Sequence, residues 1–154
     1  NVPRRALIAR HAQGLSMSVR DAGKDKQPNR QLVYGGGSLA AFALDVELRK
    51  RSADRVGLPE LLRKMRVEFG SGEKTYDLSD IVRIANALTG SDFAPFLAGA
   101  VESTGDFDIR PTFSAVGLRM DSFVEEMYVS RDGAATQAQL NRFGAIFAPR
   151  PDAM

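Results

Sequence analysis

Apolar residues recur every three or four positions through the middle of this chain. Leu39, Phe42, Ala43 and Val46 form one stripe, and Leu44 and Leu48 widen it. This pattern predicts a helix from Ser38 to Lys50 that is buried around much of its circumference. Arg49, Lys50 and Arg51 fall at its end, where cations favour the helix dipole. A second helix is expected from Leu58, with Pro59 in the first turn, where its missing N–H costs nothing. Leu61, Leu62, Met65 and Phe69 give it an apolar face, and Gly70-Ser71-Gly72 stops it. Asp77 has the position and chemistry of an N-cap for a third helix, with Asp80 as its reciprocal partner. Ile81, Ile84, Ala85 and Leu88 make the stripe of that helix, and Gly90 ends it. Ser91 is the expected cap of a fourth helix, Asp92 to about Val101, carrying Phe93, Phe96 and Leu97.

Beyond Gly105 the periodicity changes. Pro111 and Gly117 read as turn residues, Leu118 to Val129 as short strands, and Arg131-Asp132-Gly133 as a hairpin turn. Gln137 to Phe147 reads as a short helix, and Pro149 and Pro151 as a loose end. The polar run Arg20 to Arg30 reads as an exposed loop. The fold class expected is therefore mainly α. Residues 1–30 form a loop-rich lead-in, 31–104 a helical subdomain of four or more helices, and 105–154 a tail of mixed short strands and helix.

Composition narrows the chemistry. The 154 residues are 44% apolar and 26% charged, within the range of ordinary globular domains. Twenty-one basic against nineteen acidic residues leave a net +2, too little to argue for nucleic acid from charge alone. The lack of cysteine removes disulfides, thiolate metal sites and cysteine nucleophiles, and leaves the compartment, periplasmic or cytoplasmic, open. No apolar run approaches the roughly 20 residues of a membrane span. The start Asn1-Val2-Pro3-Arg4-Arg5 has neither initiator Met nor signal segment, so a longer parent polypeptide is expected.

Tyr34-Gly35-Gly36-Gly37-Ser38-Leu39, opening the first helix, is the segment that carries candidate chemistry. Together with Leu44-Asp45-Val46-Glu47-Leu48-Arg49, Gly57 to Arg63, and Leu88-Thr89-Gly90 before Phe93 and Phe96, it resembles the carboxy-terminal helical half of the glycyl aminopeptidase-like zinc metallopeptidases, relatives of the gluzincin aminopeptidases. The resemblance covers Gln31 to Met120. In that family a Tyr-x-Lys-Gly tyrosine beside the zinc donates a hydrogen bond to the oxyanion formed at the peptide carbonyl. Matched residue by residue, Tyr34 is that tyrosine and Gly37 the glycine, while Gly36 stands where the family has lysine. The resemblance thus implies Tyr34 as catalytic donor and Gly35, Gly36 and Gly37 as substrate-side backbone. It also implies zinc held by an upstream catalytic domain of the same polypeptide, and a peptide as substrate.

This chain alone is expected to be inactive and to hold no metal. It has no His-Glu-x-x-His, and its single histidine, His11, lacks partners at ligand spacing and reads as a surface or partly buried side chain. The plain alternative for Tyr34 is a core tyrosine ahead of a helix, and for the glycines a tight turn allowing close backbone approach. A phosphate loop would need Lys-Ser or Lys-Thr after the last glycine, and Ser38-Leu39 follows instead. Asp45 and Glu47, two apart, diverge on a helix and are expected to pair with Arg49 or neighbouring helices. Family members commonly end in a PDZ module, for which too little chain follows Gly117.

Two other functions are compatible with the residues. One is a non-catalytic interaction or scaffold domain on the same fold. The other is a helix-turn-helix nucleic-acid binder using Arg49, Lys50, Arg51, Arg55, Arg63, Lys64 and Arg66. Against the latter, Gly70 to Tyr76 is long for that motif's turn and the third helix offers only Arg83 as a cation. A homodimer formed through apolar surface is a further expectation.

Overall fold

A computed structural model describes residues 30–72, 74–102, 107–123 and 126–148. Six α-helices occupy most of them: α1 Arg30–Arg51, α2 Leu58–Phe69, α3 Leu78–Thr89, α4 Ala94–Leu97, α5 Arg110–Ala115 and α6 Gln137–Phe147. A π-helical turn, Ala98–Glu102, follows α4. Strands β1 Leu118–Phe123 and β2 Glu126–Arg131 pair antiparallel, with Leu118 opposite Arg131 and Phe123 opposite Glu126. The chain is thus mainly α with a small two-stranded sheet near its carboxy-terminal end.

Helix α1 is the axis of the molecule because its apolar residues face two cores. Leu39, Phe42, Ala43 and Val46 pack with Ile109, Phe113, Val116, Leu118 and Ile146. Leu44 and Leu48 pack with Leu61, Met65, Ile84, Ala85, Phe93 and Leu97. The widened stripe seen in the sequence is the imprint of this two-sided burial. Burying one such leucine completely, as at Leu48 with 0% exposure, contributes about 1.5–3 kcal/mol.

Both α2 and α3 are capped at their starts, α3 by the expected Asp77–Asp80 pair and α2 by Glu60. Glu60 accepts a hydrogen bond from the Gly57 N–H at 2.8 Å, and Pro59 sits in the first turn of α2. Asp77 accepts from the N–H groups of Ser79 and Asp80, while Asp80 accepts from the Asp77 N–H. Gly90, at φ +72°, ends α3 in the left-handed conformation that glycine adopts most readily.

Four sequence expectations are corrected. First, α1 begins at Arg30, eight residues before Ser38, so Tyr34-Gly35-Gly36-Gly37 lie within the helix rather than in a turn before it. Each glycine costs about 1 kcal/mol in a helix relative to alanine, and the buried apolar turns that follow hold the helix regular across them. Second, the side chain that bonds at the start of α4 is Asp92, accepting from the Ala94 N–H at 2.9 Å, rather than Ser91.

Third, Arg131-Asp132-Gly133 is not the hairpin turn. The strands are joined across residues 124 and 125, outside the described residues, whereas Asp132 turns the chain from β2 toward α6 by accepting from the Ala134 N–H. Its own N–H donates to the Gly117 carbonyl at 2.9 Å. Fourth, Pro111 opens the short helix α5 instead of forming a turn. The lead-in up to position 29, the exposed-loop expectation for Arg20 onward, His11, and the loose end at Pro149 and Pro151 lie outside the described residues.

Candidate functional site

Tyr34 is the fifth residue of α1 and is 65% exposed, so it is not the core tyrosine of the plain alternative. Helical spacing explains its position. Tyr34, Gly37 and Ser38, at i, i+3 and i+4, share the outward face, while Gly35, Leu39, Phe42 and Val46 fall on the buried one. Ser38 Oγ donates to the Tyr34 carbonyl at 2.7 Å, folding that side chain back against its own helix. A Cβ placed on Gly37 would meet nothing within 4 Å. Among the described residues, the phenol thus shares an exposed face with Gly37 and Ser38, just over one turn before the helix enters the core at Leu39.

The three glycines cannot act as an anion-binding helix start. They are the sixth to eighth residues of α1, so their N–H groups donate to carbonyls four residues back. Their contribution is instead the absence of side chains, and Gly35 is itself buried.

Asp45 and Glu47 diverge as expected, each taking cations of its own. Asp45 Oδ1 accepts from Arg49 Nε at 3.0 Å and from the Leu58 N–H at 2.9 Å, tying the middle of α1 to the start of α2. This pair is nearly dry, with side chains 8% and 5% exposed. Gly57 packs directly on it, since a Cβ there would fall 2.5 Å from Arg49 Nη2 and 2.7 Å from Asp45 Oδ1. Glu47 receives Lys50 at 2.9 Å and Arg51 at 2.8 Å. Burial raises its pKa, but hydrogen bonds and charge from the two cations outweigh this and hold the carboxyl below its ordinary range.

Arg51 also donates to the Asp92 carbonyl and covers the Phe93 ring at 4.5 Å. The end of α1 is thereby fixed to the start of α4.

Four of the seven basic residues considered for nucleic acid are paired with carboxylates, Arg49 with Asp45, Lys50 and Arg51 with Glu47, and Arg63 with Glu60, and Arg55 donates to the Ser52 carbonyl at 2.9 Å. Arg55, Lys64 and Arg66 are exposed. Arg83, the lone cation expected on α3, is held by Glu68 at 2.7 Å and Asp80 at 3.1 Å.

Among the described residues no group of three His, Cys, Asp or Glu side chains is placed to hold a metal ion. No helix among them is long and apolar enough to cross a membrane.

One polar cluster had no sequence signal. Arg142 of α6 forks onto Asp54, Nε to Oδ1 at 2.8 Å and Nη2 to Oδ2 at 3.2 Å, and donates from Nη1 to the Ala115 carbonyl at 3.0 Å. Its partners lie 88 and 27 positions away, beyond any local periodicity.

Comparison of the chain with protein-family models, curated proteins and solved structures finds no match.

Proposed function

We propose that this chain is the carboxy-terminal helical region of a glycyl aminopeptidase-like metallopeptidase, and that it walls the substrate cleft and presents the Tyr34 hydroxyl to the reacting carbonyl. The observation that carries this reading is the exposed phenol on a helix whose opposite face is buried, with exposed Gly37 and Ser38 on the same side as the phenol. An oxyanion donor works when its scaffold is set in place before charge develops, and from Leu39, just over one turn beyond Tyr34, α1 is fixed by two cores and the Asp45–Arg49 pair.

In the reaction, the Tyr34 O–H donates to the carbonyl oxygen as it becomes an oxyanion. Gly36 and Gly37 keep the approach to that oxygen free of side chains. The substrate class is a peptide with glycine or alanine at its amino terminus, as the resemblance implies. The metal and the general base belong to an upstream domain of the same polypeptide. The engaged cations of α1 and α3 favour a peptide over a nucleic acid as partner.

Reading the coding frame upstream of Asn1 tests the assignment. His-Glu-x-x-His with a downstream glutamate is the expected result. A complete frame without them refutes the peptidase and leaves the scaffold domain, for which Gly36 in place of the family's lysine is the specific indication.

A further inference from the structure

Helix α6 has 11 residues, and Ile146 is its one fully buried side chain. A helix of this length does not hold together alone in water, so it depends on the face it covers. There the Phe147 ring lies 5.8 Å from Phe42 and 4.7 Å from Phe143. Among its polar attachments are the Arg142 fork on Asp54, the Arg142 bond to the Ala115 carbonyl, Gln139 Nε2 donating to the Ser114 carbonyl at 2.8 Å, and the Arg131 guanidinium of β2 over the Phe143 ring at 4.4 Å.

Arg142, only 13% exposed at its side chain, therefore joins the end of α1, the end of α5 and α6 at one guanidinium. No residue of α6 enters the core formed by α1 with α2, α3 and α4. The cover can leave while that core stays closed.

We propose that α6 is a strap that opens and closes as a unit over the α1–α5 face, with the Arg142–Asp54 fork as its latch. Opening uncovers Phe42 and the carbonyls of Ser114 and Ala115. It is a sub-global event of the kind that hydrogen exchange separates from full unfolding.

The test is amide hydrogen exchange by mass spectrometry on the 154-residue chain, comparing peptides from α6 with peptides from α3. In the wild type, α6 amides are expected to exchange faster than α3 amides. Raising salt from about 0.05 M to about 1 M should widen the gap, since the fork is partly solvent-exposed and is screened. Arg142→Met should speed exchange in α6 by about tenfold or more, because a charged, forked hydrogen bond is lost, and leave α3 unchanged. Arg142→Lys keeps the charge without the fork and should fall between, which preserves the test if the methionine variant does not fold. Equal wild-type rates in α6 and α3, or a substitution that speeds both helices alike, overturns the strap. An α6 rate insensitive to both substitutions overturns the latch.

Discussion

Gly57→Ala tests the packing of α1 on α2 with a single methyl group. The backbone at Gly57, φ −134° and ψ −172°, is extended and open to any residue, so no conformational penalty enters. The cost is steric and electrostatic. The new Cβ would sit 2.5 Å from Arg49 Nη2, 2.7 Å from Arg49 Cζ and 2.7 Å from Asp45 Oδ1. Neither side chain has slack, because Asp45 Oδ1 already serves both Arg49 Nε and the Leu58 N–H. One of these bonds must break in a dry site.

Removing a partner from a buried pair costs about 3–5 kcal/mol, and displacement without deletion belongs at the lower end, about 3 kcal/mol. For a domain of this size that corresponds to a fall in Tm of about 6–12 °C. Urea denaturation followed by circular dichroism should show a lower midpoint with an unchanged slope. Gly133→Ala, where the methyl meets nothing within 4 Å, serves as control. In an Arg49→Met background the same Gly57→Ala change should cost at least about 1 kcal/mol less, a coupling that identifies the guanidinium as the obstacle. A loss below about 1 kcal/mol in the wild-type background, far short of the cost of disturbing a buried pair, would refute the close contact.

Gly37→Ala should stabilise the chain by about 0.5–1 kcal/mol, because the position is helical and the methyl meets open space; a lower urea midpoint would restore the turn that the glycines alone suggested. Ala53, at φ +53° in the turn ending α1, carries a left-handed strain of about 1 kcal/mol that Ala53→Gly should relieve, raising the midpoint; a decrease contradicts that backbone conformation. Acid should weaken the fold through Glu47 and Glu60. In both, burial raises the pKa but is outweighed, by Lys50 and Arg51 for Glu47 and by the Gly57 N–H and Arg63 for Glu60, so both lie below the ordinary 4.5. A depressed folded pKa stabilises above the unfolded value and loses that contribution as pH falls through the folded one, so the urea midpoint should hold from pH 7 to about 5.5 and drop below about 4.5. A midpoint that rises between pH 5 and pH 3.5 contradicts those pairings.

The parts of the fold legible in the sequence are those written by short-range rules. The Asp77–Asp80 capping pair, Gly90 at a helix end, and the Leu44 and Leu48 positions that widen the stripe of α1 each depend on neighbours within a few residues. Three consecutive glycines carry a strong local turn signal, yet they lie inside α1. What overrides it is packing of Leu39 and Phe42 against Ile109, Phe113 and Ile146, residues far along the chain. The hairpin was displaced for a similar reason. Arg131-Asp132-Gly133 has turn chemistry and does form a turn, but strand pairing places the hairpin connection earlier.

For the candidate site, the divergence of Asp45 and Glu47 follows from helical spacing alone. The exposure of Tyr34 could be read only once α1 was known to start at Arg30. The Asp54–Arg142 fork depends on how β1, β2 and α6 return to α1, and no local pattern encodes that.

The proposed role of Tyr34 is tested most directly by Tyr34→Phe in the complete polypeptide that contains this chain, assayed for hydrolysis of glycyl and alanyl p-nitroanilides. Loss of an oxyanion donor should lower kcat by about 10²-fold or more, with KM changed little, because the bond strengthens only as charge develops. The same variant should unfold within about 0.5 kcal/mol of the wild type, as expected for an exposed position. An unchanged kcat, or a complete polypeptide with no such hydrolysis to lose, contradicts the assignment of Tyr34 as the donor.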